Sequence, residues 1–152
     1  MDEKSTFQYY FDLTQKLYKT MVYALFLYPL FVASVESFHL GVFRFLNFET
    51  MQSMGLVFMV LTLLFFPLSY IADSFFIKGC TNIEDLGRKL MFSEISKMAM
   101  AETVTLFGLI IYITSANLKF FYLFFIISFV HLVAVRPTEK RWQKHLDNFN
   151  AQ

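Results

Sequence analysis

Between Glu49 and Asp73 the chain reads TMQSMGLVFMVLTLLFFPLSYIA, 23 residues without one charge. As a helix rising 1.5 Å per residue, such a run is about 35 Å long, enough to cross the roughly 30 Å hydrocarbon core of a bilayer. No other feature narrows the fold so far. Where lipid replaces water, the backbone of that segment must satisfy its hydrogen bonds internally, and a helix does so within one stretch of chain. The rest of the chain agrees: it is 57% hydrophobic and 16% charged, against about a quarter charged in an average soluble domain.

Three further runs have the same character. TMVYALFLYPLFVASV lies between Lys19 and Glu36, extended by Leu17 and Tyr18 before it and by Phe38 to Leu40 after it. Met98 to Leu118 forms a third run if Glu102 is admitted, and Phe120 to Val135 a fourth. The fourth is about 24 Å long as a helix, so Lys119 and Arg136 have to snorkel to the interfaces. TSANLK leaves almost no connection between the last two, which predicts a hairpin. A soluble bundle would need polar faces, and FFYLFFIISFV offers none. The expected fold is an all-α integral membrane protein of one domain, residues 1–152. Its four transmembrane helices are expected over about 17–39, 51–72, 98–118 and 119–136. Pro29 and Pro67 fall inside the first two, where membrane helices tolerate them.

Basic residues give the orientation. With the amino terminus, the segment from Lys78 to Lys97 and the tail after Val135 on one side, that side holds Lys4, Lys16, Lys19, Lys78, Arg88, Lys89, Lys97, Arg136, Lys140, Arg141 and Lys144. Only Arg44 and Lys119 remain of the 13 basic residues. The positive-inside rule then puts both termini in the cytoplasm, with interfacial helical extensions, and the location expected is the bacterial inner membrane. The amino terminus lacks a basic region leading directly into an apolar core and a cleavage site, so the first span is expected to be retained.

The connections carry their own signals. STFQYYFDLTQKLY suits a helix entering along the interface, capped by Ser5 or Thr6. The loop SFHLGVFRFLNFETMQS is apolar enough to predict a half-buried or re-entrant helical turn. IKGCTNIEDLGRKLMFSEISKMAM predicts a turn at Gly79, a helix capped near Thr81 or Asn82 that continues into the third span, and a bend at Gly87. The tail RPTEKRWQKHL breaks at Pro137 and resumes as a short amphipathic piece. Lys16, Lys19, Arg136, Arg141 and Trp142 are expected as lipid-interface anchors, since cations and Trp gather at the headgroup level.

Signatures of chemistry are sparse. GxSxG, HExxH and a phosphate-binding glycine loop are all missing from the sequence, and the expectation is a protein that is not an enzyme and uses no cofactor. With one cysteine, Cys80, no intramolecular disulfide is possible. His39, His131 and His145 fall at three different levels of the proposed topology, so no metal site is expected, and His131 reads as a hydrogen-bonded packing residue. A net charge of +1 offers no field for nucleic acid. Asp73 reads as the polar end of the second span, and Glu94 and Lys97, three apart, are placed to pair.

Glu102 is the exception. A carboxylate inside an apolar span costs roughly 2.5 to 3.5 kcal/mol on insertion scales and marks a candidate functional site. Ala101, Thr105 and Gly108 form a small-residue stripe at helical spacing that lets another helix approach closely, and Glu102 borders it. The carboxylate has two readings: an inter-helix hydrogen bond, or ion binding.

The stretch AETVTLFGLIIYI resembles the carboxylate helix of the proteolipid subunit c of rotary ATPases, where a Glu precedes small and apolar residues and a glycine-containing apolar run. The resemblance spans about 13 to 20 of the 152 residues. It implies a proton- or sodium-carrying role at a ring interface, which Glu102 alone would inherit. The whole chain looks like small four-span bacterial membrane proteins of uncharacterised activity.

Two functions follow as expectations. The first is a membrane scaffold or accessory subunit whose partners are copies of itself, membrane lipids and another integral membrane complex such as an ion-driven motor. In that reading the homo-oligomer closes into a ring. The alternative is a proton- or sodium-coupled, proteolipid-like subunit working through Glu102.

Overall fold

The computed structural model describes residues 3–39 and 46–151. Five helices follow one another: α1 Glu3–Ser37, α2 Phe48–Phe76, α3 Ile83–Ser115, α4 Leu118–Ala134 and α5 Glu139–Asn150. Among the described residues there is no strand. By length and composition α1, α2 and α3 can each cross a membrane, and α4 with α5, bent by 48° at their break, makes a fourth crossing if the pair counts as one span. Residues 40–45 of the apolar loop predicted to hold a re-entrant turn lie outside the described residues.

Local chemistry sets most of the helix ends. Gly79 takes the positive φ of +68° that a left-handed turn requires, and Asn82 caps α3 by accepting a hydrogen bond from the Asp85 amide. Asn47 and Asn117 cap α2 and α4 in the same way, through the amides of Thr50 and Phe120. Ala116, at φ 55°, and Asn117 are the whole connection between α3 and α4. The tight hairpin read from TSANLK is therefore present. α1 already runs at Glu3, so Ser5 and Thr6 lie within its first turns and not at its cap.

α3 is the spine, with α1, α2 and α4 each packed along it and α1 touching α4 only lightly. α1 shares apolar clusters with α3 and α4 around Leu25, Met98 and Leu132, and again around Val32, Tyr112 and Phe121. α2 meets α3 and α4 in a different cluster, around Met51, Val104 and Phe124. The small-residue stripe faces α4 of the same chain. Ala101, Thr105 and Gly108 are all buried, and the Ser128 hydroxyl of α4 donates to the Ala101 carbonyl at 2.5 Å. A Cβ on Gly108 would come within 2.8 Å of the Phe124 Cβ and 3.1 Å of the Phe121 carbonyl oxygen, so only glycine permits this crossing.

At one end three helices build a small core of their own. Phe7 and Phe11 of α1, Leu86 and Leu90 of α3, and Trp142 and Leu146 of α5 are buried together. The first turns of α1 belong to the same unbroken helix as the first apolar run and bury Phe7, Phe11 and Thr14 on one face. Gly87 does not mark a bend, because α3 runs unbroken through it. It gives room to α1, whose Tyr10 ring would stand 3.0 Å from an added Cβ.

Candidate functional site

Polar side chains inside the helices fall into three groups, each set by a helix–helix seam. The first lies between α1 and α3. The Tyr28 hydroxyl donates to Glu102 Oε1 at 2.8 Å, and farther along, the Tyr112 hydroxyl donates to Glu36 Oε1 at 2.8 Å. An O–H donor facing a carboxylate makes a charge-assisted bond, among the stronger kinds available to side chains. Glu102, half-buried, thus has its partner on another helix of the same chain. The stripe beside it is turned to α4, so the carboxylate and the small residues serve different neighbours.

The second group sits between α2 and α4. His131 is fully buried, with Nε2 2.8 Å from the Ser69 hydroxyl and its ring stacked on Phe66 at 4.3 Å. Ser69 donates its proton to the Phe65 carbonyl at 2.8 Å. That assigns the Nε2–H tautomer to His131, whose Nδ1 keeps an unshared lone pair with no hydrogen-bond partner. The placement matches a packing histidine.

The third group is an ion-pair network beneath the apolar runs, where α2, α3 and α5 converge. Lys97 Nζ donates to Asp73 Oδ1 at 2.5 Å and stands 3.4 Å from Glu94 Oε1. Arg141 Nη2 donates to that same Glu94 oxygen at 2.7 Å, and Ser93 Oγ donates to Asp73 Oδ1 at 2.7 Å. His145 Nε2 lies 3.6 Å from the other Asp73 oxygen. Glu94 is 0% exposed and Lys97 2% exposed. Two carboxylates and two permanent cations balance, which is what allows such a set to be buried. Arg141 also donates to the Val135 and Arg136 carbonyls, bracing the break between α4 and α5.

This geometry redraws the anchors. Lys16, Lys19 and Arg136 are exposed, as anchors must be. Trp142 is 1% exposed and lies edge-on to Phe7 and Phe11, with ring centroids 5.4 and 5.3 Å away. Arg141 is bound to a buried carboxylate. Of these two expected anchors, Trp142 is packed in the small core and Arg141, 30% exposed, is tied to Glu94. Asp73, read from the sequence only as the polar end of the second span, has a pairing that sequence reasoning missed. Its role depends on Lys97 and His145, 24 and 72 positions on, and no local pattern encodes that pairing. The pairing of Glu94 with Lys97 was legible from their spacing.

Beside the network an open cavity of about 420 Å³ lies among Ser74, Ile77, Lys78, Cys80, His145 and Phe149. Burial pushes the Cys80 thiol above its ordinary pKa, with the Lys89 ammonium pulling the other way. Among the described residues no group of three or more His, Cys, Asp or Glu side chains is arranged to hold a metal ion. No protein-family model matches the chain, and neither the curated proteins nor the solved structures hold a match to it.

Proposed function

We propose that this chain is a four-span protein of the bacterial inner membrane with both termini in the cytoplasm. In this reading it is a non-enzymatic scaffold or accessory subunit that associates laterally with copies of itself. One observation carries the reading: Asp73, Glu94, Lys97 and Glu102 are tied to partners within the chain, while the outward face of α2 is an unbroken apolar stripe. Leu56, Val60, Leu64, Leu68, Ile71 and Phe75 follow one another at three- or four-residue spacing and are all exposed. With Ala101, Thr105 and Gly108 filled by α4, copy-to-copy contact falls to α2 and not to the stripe on α3. A repeated heterologous contact of that kind closes into a ring when its rotation permits, enclosing lipid or surrounding another membrane complex. The orientation is supported by the small core, which gathers the three basic-rich segments at one end.

The mass of the intact assembly in nanodiscs tests this, for the natural chain and for Glu102→Gln. A discrete oligomer in both supports a scaffold held by packing. A monomer at every concentration ends the proposal.

A second reading is favoured by Glu102 itself, which Tyr28 engages through one carboxylate oxygen, Oε1. A half-buried carboxylate in an apolar seam suits reversible binding of a proton or sodium ion. Carbodiimide should then label Glu102, sodium should protect it, and Glu102→Gln should abolish flux. Labelling that sodium leaves untouched removes the sodium form of this reading.

A further inference from the structure

α1 and α4 touch only lightly. Between them lies an open groove of about 240 Å³, lined by Val22, Tyr23, Phe129, Leu132 and Val133, with Tyr18 and Lys19 at its lower rim. Phe26 closes the other end, its ring edge-on to Phe125 and Phe129 with centroids 6.0 and 5.9 Å away. The floor is firm: Leu25, Leu132 and Val135 are buried and packed against Leu17, Tyr18 and Met21.

Two cations stand at the rim. Lys19 lines the groove. Arg136 follows Val135, which packs in the same cluster as Tyr18 just beyond the end of α4. Both are exposed, and among the described residues neither side chain has an acidic partner within ion-pair distance. Arg141, only five residues from Arg136, is by contrast committed to buried Glu94. Lys19 lies about 6 Å along the helix axis from Tyr23, so the cations sit at headgroup level when the groove wall sits at acyl level.

From this arrangement we infer that the α1–α4 groove is a binding site for one anionic phospholipid. An acyl chain lies against Val22, Phe129 and Val133, and the phosphate is held by Lys19 and Arg136 with the Tyr18 hydroxyl as a further donor. Charge complementarity selects the occupant. An apolar cleft alone accepts any lipid tail, but two unpaired cations at its mouth distinguish an anionic headgroup from a zwitterionic one, whose own ammonium opposes them. The inference needs the chain to be in a membrane. It does not depend on whether the chain is a ring or a monomer, because lipid is counted per subunit.

Native mass spectrometry of the full chain, released from micelles doped with equal amounts of phosphatidylglycerol and phosphatidylcholine of matched acyl chains, tests the site. The expected result is one retained phosphatidylglycerol per subunit, preferred on the order of tenfold or more. The Lys19→Ala/Arg136→Ala pair should bring the two lipids to parity. Lys140→Ala/Lys144→Ala, which removes two exposed cations of α5, should keep the preference. Unchanged tryptophan emission would show that each variant is folded, since the one Trp reports on the small core. Parity in the natural chain, an undiminished preference in the Lys19/Arg136 pair, or an equal loss in the α5 pair would each overturn the site. Displacement of the lipid by millimolar inorganic phosphate would do so too, since that would mean a bare anion site.

Discussion

Tyr28 of α1 gives its hydroxyl proton to Glu102 of α3 at 2.8 Å, and farther along the same seam the roles reverse, Tyr112 of α3 donating to Glu36 of α1 at 2.8 Å. Each helix supplies one donor and one acceptor. Because the paired positions advance together along both helices, the two bonds fix α1 and α3 as parallel neighbours and set their register. Slipping one helix by a turn leaves both phenols and both carboxylates without partners in an apolar seam, which costs more than the bonds themselves contribute.

Tyr28→Phe should therefore destabilise the fold by about 1 to 2 kcal/mol, toward the upper end of side-chain bonds between membrane helices. Glu102→Gln should cost less, since the amide oxygen still accepts from Tyr28. A double-mutant cycle on these two positions, followed by unfolding in mixed micelles, should give a coupling energy of the same sign. Additive losses would mean that the bond contributes nothing.

The buried network makes a sharper claim. Lys97→Met strips Asp73 of its closest cation and leaves Glu94 to Arg141 alone, so a loss of about 3 to 5 kcal/mol is expected. Removing the negative partner at the same time, in Asp73→Asn/Lys97→Met, should restore part of that stability, because no uncompensated charge then remains at that position. Equal stability of Lys97→Met and the natural chain, by chemical unfolding in micelles, would show the ammonium to be hydrated and not paired.

How far the chain could be read in advance follows from the range of each signal. The apolar run before Asp73, the Asn82 cap, the Gly79 turn and the hairpin at Ala116 are encoded within a few residues, and all were legible. The spacing of Ala101, Thr105 and Gly108 announced a close helix approach but not which helix makes it; α4 rather than a second subunit does so because the two-residue link holds it there. Trp142 and Arg141 carry the composition of a headgroup anchor. Their packing on Phe7 and Glu94 joins segments too far apart in the sequence for a local pattern to encode. The pairing of Asp73 with Lys97 and His145 was hidden for the same reason.

Trp142 tests that packing directly. As the one tryptophan of the chain, enclosed by Phe7, Phe11, Leu86 and Leu90, it should emit as a buried indole and resist quenching by brominated lipid. A headgroup anchor would be quenched strongly. Trp142→Ala should cost about 3 to 5 kcal/mol through the cavity it leaves, whereas loss of an anchor would leave the small core intact.

Cys80, the one cysteine, reports orientation. With the small core in the cytoplasm, a membrane-impermeant maleimide should label it only after the cells are opened. The reaction should also be slow at neutral pH: burial raises the thiol pKa, so the thiolate fraction is below that of a free cysteine and grows as pH rises. Labelling of intact cells would invert the topology.

The α3–α4 hairpin holds a local conflict that substitution can relieve. Ala116 sits at φ 55° in the left-handed region, where its Cβ crowds the following carbonyl oxygen, and its amide closes α3 by donating to the Tyr112 carbonyl at 2.7 Å. Glycine takes that conformation without the clash, at the cost of a more flexible unfolded chain. The relief is the larger effect at a C-terminal αL position, so Ala116→Gly should stabilise the fold by about 1 kcal/mol. The gain should appear as a raised unfolding midpoint with an unchanged denaturant slope. A lowered midpoint would mean that the turn tolerates the Cβ and that chain entropy dominates, which would place the rigidity of the hairpin in Gly108 and the Phe121–Phe124 contact and not in its link.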